Sequence, residues 1–221
     1  MLASCLVAWV PLSLTAVQGG PRPPIPEITR RLQLRYDALR DFSARFVHVY
    51  EGGLLGKRVT ERGTVLIKRP GRMRWTYTDP EPKEFVSDGV KLYAYVPQDR
   101  QVIIGTMPAD DEATSPVLFL AGKGSLTRDF AVNYADVAEA PAGTYALKLV
   151  PKERQPEYDW LVLVVDRDTL RIRSLVTVDA QGGQSTFTFT DLKENVGLRD
   201  KEFIFKIPRG VDVVTDSARI R

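Results

Sequence analysis

From Phe42 onward the chain alternates apolar and polar residues with a period of two, and it keeps returning to that pattern over most of its length. Phe42–Tyr50, Val59–Lys68, Arg72–Thr78, Glu84–Ser87 and Val90–Val96 each alternate. They are punctuated by Gly52-Gly53, Pro70-Gly71, Asp88-Gly89 and the Pro97–Arg100 segment. Gln101–Gly105, Ala131–Asp136, Tyr145–Val150, Trp160–Val165, Arg171–Asp179, Gln184–Asp191 and Phe203–Ile207 continue the series. Two-residue alternation cut by Gly, Pro and Asp reads as strands joined by tight turns. Strands in such a succession pair antiparallel with their chain neighbours. About eleven of them form a single strongly curved sheet or incomplete barrel, whose inner face must be filled or covered.

The period departs from two in only two places. Pro26-Glu27 opens a segment in which Ile28, Leu32, Tyr36 and Leu39 recur at helical spacing, with Arg30, Arg31, Arg35 and Asp37 between them. Proline in the first turn and an acidic residue at its positive end favour a helix here, ending near Arg40. In the middle, Ser115-Pro116 followed by Val117, Leu118, Phe119, Leu120, Ala121 and Gly122 has the cap, first-turn proline and glycine stop of a short apolar helix. Another turn is expected around Ser125–Asp129. The fold class is therefore mainly β (α+β): an incomplete antiparallel barrel with an N-terminal helix and short central helices covering one face.

Function is bounded first by what is missing. The 221 residues hold one histidine, His48, and one cysteine, Cys5. That removes most metal-site, thiol and Ser-His-Asp chemistry, and no cofactor is expected. A net charge of +3 carried by both signs lacks the basic stripe that nucleic acid would require. Residues 1–20 carry no charge and form an apolar run ending in small residues, the form of a secretory signal peptide. The run falls short of the ~20 residues that span a bilayer. Export is expected, with residues 21–221 as a single domain. Cys5 precedes the hydrophobic run instead of following it, which disfavours lipid anchoring there.

Individual motifs have ordinary explanations. Asp166-Arg167-Asp168 sits between strands, where aspartate is common turn chemistry. Gly122-Lys123-Gly124-Ser125 lacks the spacing of a phosphate loop. Asp110-Asp111-Glu112 reads as a solvated loop, and His48 as a structural residue in a strand. The aromatic set is more informative. Trp75, Tyr77, Phe85, Phe187 and Phe189 on strands, with Phe119 on the short helix, either pack a core or line an apolar cavity. Arg69 shares strand parity with Val65 and Ile67 and so points either inward or, as a strand-end arginine, into water. An inward guanidinium has five donors to satisfy, and the free carbonyls at the end of a covering helix would accept them.

These same stretches carry a resemblance. Phe42–Phe46, Gly63–Trp75, Val86–Gly89, Leu92–Pro97, Gln101-Val102, Phe203–Pro208 and Gly210–Asp212 together resemble the periplasmic outer-membrane lipoprotein carrier family, LolA. The resemblance runs from residue 27 to 212 and is densest over 42–105. It implies an incomplete eleven-stranded barrel with a helical lid, a monomer in the periplasm, and no catalysis. The implied cargo is lipoprotein acyl chains, received from an inner-membrane lipoprotein-releasing ABC transporter and passed to an outer-membrane, LolB-like receptor. Arg69 falls on the arginine that latches the lid in the empty state. Met73, Trp75, Tyr77, Phe85, Phe119, Phe187 and Phe189 would line the acyl-chain cavity, with Met73 where some members have a phenylalanine at the cavity mouth. Val117, Leu118 and Leu120 would form part of the lid. Competing readings are a LolB-like receptor or envelope sensor of the same fold and, in a different class, a secreted lipid-acting hydrolase using His48.

Overall fold

The computed structural model describes residues 22–52, 57–107, 116–137, 140–155 and 158–215. The signal segment, the Ser115 cap and the acidic Asp110-Asp111-Glu112 loop lie outside these residues. Helix α1 spans Ile25–Ala38, with Pro26 and Glu27 in its first turn. It buries Ile28, Thr29, Leu32 and Tyr36 on one face.

Among the described residues, twelve strands form one open sheet. They are β1 (Asp41–Glu51), β2 (Arg58–Lys68), β3 (Arg72–Asp79), β4 (Lys83–Asp88), β5 (Lys91–Val96), β6 (Gln101–Thr106), β7 (Phe130–Tyr134), β8 (Thr144–Pro151), β9 (Trp160–Asp166), β10 (Ile172–Val178), β11 (Gln184–Glu194) and β12 (Asp212–Thr215). The order is β12-β6-β5-β4-β3-β2-β1-β11-β10-β9-β8-β7, so β12 and β7 are edges and the barrel stays open. All pairs are antiparallel except β12 with β6, which is parallel. Helices α2 (Pro116–Leu120) and α3 (Leu126–Asp129) lie between β6 and β7 in the chain.

The core lies between the helices and one sheet face. Ile28, Leu32 and Tyr36 of α1, Leu118–Leu120 of α2 and Leu126 of α3 share a buried cluster with inward residues of the strands. Strand β9 is buried on both faces. Leu161, Leu163 and Val165 join the main cluster, while Val162 and Val164 form a second one with Ala146 and Val176.

The stretch Phe203–Ile207, expected as a strand, is not one. Asp200–Phe203 is a 3-10 turn, and the backbone beyond it runs across the outer face of β3–β5. Its carbonyls are taken by a side chain: Arg74 donates to Glu202 O at 2.6 Å and to Ile204 O at 2.9 Å. Phe203 is fully buried, and Phe205 stacks on Tyr93 with centroids 5.3 Å apart. The twelfth strand comes later, at Asp212–Thr215.

Close packing under the sheet depends on Gly63, at a register shift between β2 and β3. A Cβ there would lie 2.1 Å from Thr76 O and 2.9 Å from Phe46 Cζ. The missing side chain lets Phe46 lie over β2 and meet Trp75 and Tyr77 edge-on, at 5.1 and 4.8 Å. Gly63→Ala is therefore expected to lower stability by about 1–3 kcal/mol in urea unfolding, with the fold retained, because backbone atoms must move to admit the methyl.

Candidate functional site

Helix ends leave carbonyls without intrahelical partners, and here two such ends converge on one side chain. Arg69, just beyond β2, turns its guanidinium inward. It donates from Nη1 to Tyr36 O in the last turn of α1, and from Nη2 to Leu120 O, the end of α2, at 3.4 Å. The guanidinium carbon sits 3.4 Å from the Tyr36 ring centroid. That ring also stacks on Phe119, 4.7 Å away, and the Tyr36 hydroxyl donates to Phe119 O. One arginine and one tyrosine thus tie α1, α2 and the β2–β3 turn together.

Glycines make this approach possible. Gly122 follows α2 with φ +88°, the left-handed geometry of a helix stop. Gly122 N donates to Phe119 O at 3.0 Å. A Cβ on Gly122 would stand 2.8 Å from Arg69 Cγ and Cδ, so a side chain there would displace the guanidinium. On the other side, Gly71 N donates to Ala121 O at 2.9 Å. Burial lowers the Arg69 pKa from its ordinary value, yet an arginine remains charged. Burial likewise raises that of the Tyr36 phenol, keeping it a neutral donor.

Beneath this closure lies an apolar interior. Met73, Trp75, Tyr77, Phe119, Phe187 and Phe189 are all buried in it, and Phe85 packs against it half-buried. Leu118 and Leu120 are buried with them, and Val117 is half-buried at the edge. The interior is filled by its own side chains. A recess between α1 and β9–β11, lined by Leu32, Leu39, Phe42, Leu163, Phe189 and Leu192 among others, encloses about 20 Å³. That is room for about one water and not for an acyl chain. Of the aromatic residues assigned to the cavity, Phe189 alone reaches this recess. Its rim carries Glu194, which pairs with Arg35 and, at 3.1 Å, with Arg171.

Two sequence motifs are spent on structure. The Asp166 carboxylate accepts from Thr169 N at 2.9 Å, Thr169 Oγ1 at 2.8 Å and Arg173 at 3.1 Å, which holds its pKa well below the usual carboxylate range. His48 lies on the same sheet face as Phe46 and stacks on Phe187 with centroids 4.1 Å apart. Its Nδ1 meets Glu61 Oε2 at 3.1 Å and its Nε2 meets Ser185 Oγ at 3.2 Å, while Lys83 donates to Glu61 at 2.5 Å. Sequence reading placed Tyr36 only as an apolar helix position. Its part in the closure depends on β2, α1 and α2 meeting, which no local pattern reports.

Residues 37–206 match the family model described as outer membrane lipoprotein carrier protein LolA. The chain belongs to this family. Among LolA-family relatives, the outer-membrane lipoprotein carrier protein of Chromohalobacter salexigens is 29% identical over 94% of this chain and 92% of its own. That of Pseudomonas paraeruginosa is 30% identical over 85% and 87%. In fold, the chain resembles an uncharacterized conserved protein from Thermus thermophilus, with a TM-score of 0.54 and 12% identity over 86% of this chain and 98% of that one.

The His48 setting carries a pH dependence. Burial draws the imidazole pKa below the ordinary histidine value, and the Glu61 carboxylate only partly opposes this. The unfolded chain therefore takes up a proton near pH 6.5 before the folded one does. The stabilisation is complete above that pH and is lost as pH falls below it. The carboxylates with lowered pKa, Asp129, Asp166 and Asp200, give up theirs only in more acid solution. Tm should fall between pH 7.5 and 5.5, and His48→Gln should flatten that segment of the profile in calorimetry.

Proposed function

We propose that this protein carries outer-membrane lipoproteins, sheltering their acyl chains in the apolar interior that α1 and α2 close. The observation that carries the reading is the Arg69 closure: a charged fork holding two helix ends over a face built of aromatic and aliphatic side chains. The family relatives, named as outer-membrane lipoprotein carrier proteins, support it. None of the described residues forms a helix long and apolar enough to cross a membrane. In this reading residues 1–20 direct export and the mature chain works in the periplasm. It takes cargo from an inner-membrane lipoprotein-releasing transporter and yields it to an outer-membrane receptor. Carriage requires no bond to be made or broken.

Release is the harder half of such a task. Each buried methylene contributes about 0.8 kcal/mol, so a fully covered acyl chain would scarcely leave. The empty state offsets this. Hydrogen bonds from a charged donor are worth about 1.5–3 kcal/mol each, and cargo must break those of Arg69 to part the helices from the sheet. Net affinity is the difference between acyl burial and lid opening. Met73, Trp75, Tyr77, Phe85, Phe119, Phe187 and Phe189 form the surface that opening exposes, and Val117, Leu118 and Leu120 move with α2.

Arg69→Leu removes the opposing cost. In a transfer assay with purified lipoprotein, the variant should retain cargo at least about tenfold longer than the parent and hand it over correspondingly slowly. Unchanged retention and hand-over would remove the latch role from Arg69.

A further inference from the structure

Among the described residues, three buried side-chain polar atoms have no hydrogen-bond partner: Thr29 Oγ1 on α1, Arg69 Nε at the closure and Trp75 Nε1 on β3. Native interiors rarely leave a donor unanswered. Two of the three have local explanations. The Arg69 charge is shared with terminal nitrogens that are bonded, and its face rests on Tyr36. A helical threonine hydroxyl can turn toward the carbonyl one turn back.

Trp75 has no such recourse. Its indole N–H is a donor only, fixed in the plane of a ring that is 2% exposed. Around it stand Phe46 at 5.1 Å, Phe187 at 5.4 Å and Phe189 at 6.3 Å, whose rings bring no oxygen or nitrogen acceptor. The polar groups farther along that face, His48, Glu61, Lys83 and Ser185, are engaged with one another. Phenylalanine at position 75 would offer similar apolar contact without the orphaned donor. The N–H gains a purpose only if the occupant of the opened interior brings an acceptor.

We propose that Trp75 Nε1–H is the hydrogen-bond donor for the ester carbonyl of an acyl chain held in the opened interior, so that the site selects acyl esters over bare hydrocarbon of the same length. The proposal rests on the carrier reading above and specifies its ligand chemistry. It also sets a depth: the carbonyl comes to rest at β3, among the rings of Phe46, Phe187 and Phe189.

Methyl laurate and tetradecane have the same number of chain atoms and no charge, and only the first has a hydrogen-bond acceptor. Their affinities are to be measured by displacement of an environment-sensitive apolar dye from the full chain and from Trp75→Phe. The parent should prefer the ester about tenfold, the worth of one hydrogen bond. Trp75→Phe should lose the preference, its ratio of ester to hydrocarbon affinity falling to about one whatever its absolute affinity for either ligand. The indole proton resonance of Trp75 in the parent should move downfield with the ester and not with tetradecane, a readout independent of how well the variant folds. An ester preference of equal size in both proteins, no preference in the parent, or an indole proton unmoved by bound ester would overturn the subsite. If both ligands bind alike, the carrier reading stands and the subsite falls. If neither displaces the dye, both fall.

Discussion

The closed state depends on a single planar cation answering two helix ends. The last carbonyls of a helix find few partners within it: Tyr36 O accepts from the cap residue Leu39 N at 3.3 Å, and Leu120 O stands at the end of α2. Arg69 supplies donors to Tyr36 O and Leu120 O at once. A lysine would bring a point charge without the fork or the flat face that lies on the Tyr36 ring. Much else is arranged around this contact. Gly122 has no Cβ because the arginine stem occupies that space, and Gly71 holds Ala121 O from the turn beside it. Tyr36 joins the closure from both ends, its ring against the guanidinium and Phe119, its hydroxyl on Phe119 O.

In the proposed carrier, such a closure has an open state as well as the closed one. Its bonds concentrate at the helix ends, while the contacts beneath are apolar and non-directional. Parting α2 from the sheet therefore costs a few discrete hydrogen bonds and exposes a continuous apolar surface. Hydrocarbon can cover that surface again, but it cannot accept the arginine's hydrogen bonds. Water and ligand thus compete for different parts of the same machine: water can satisfy the released polar groups, and acyl chains the released apolar ones. The recess between α1 and β9–β11 encloses about 20 Å³, so the closed state has no room for an acyl chain there.

Much of this was legible in the sequence because antiparallel strands with one buried face write their period directly. The hairpins of β1 to β6 carry alternation and turn residues together, and α1 carries a helical stripe of Ile28, Leu32 and Tyr36. The parity of Arg69 with Val65 and Ile67 leaves its direction open, since a strand-end arginine can also splay into water. The departures have physical causes. Phe203–Ile207 alternates like a strand, yet Arg74 takes the carbonyls at Glu202 and Ile204 that a neighbouring strand would need. Strand β12 is short and pairs parallel with β6, from a distant part of the sequence. The closure itself joins residues 36, 69 and 119–122, and no window along the chain contains all three.

The polar groups inside the sheet show why burial alone does not identify a site. His48 is enclosed by Phe187, Glu61 and Ser185, and each ring nitrogen has a partner. With Glu61 accepting from Nδ1–H, Nε2 is left to accept from the Ser185 hydroxyl, so one tautomer satisfies the whole group. Such a network fixes the relative positions of β1, β2 and β11 and asks nothing of a ligand. Trp75 stands in the same interior with its donor unanswered. Both are buried polar residues among aromatic rings. What separates them is hydrogen-bond completeness: the complete network is part of the scaffold, while the incomplete donor marks where the fold leaves an interaction to be supplied from outside.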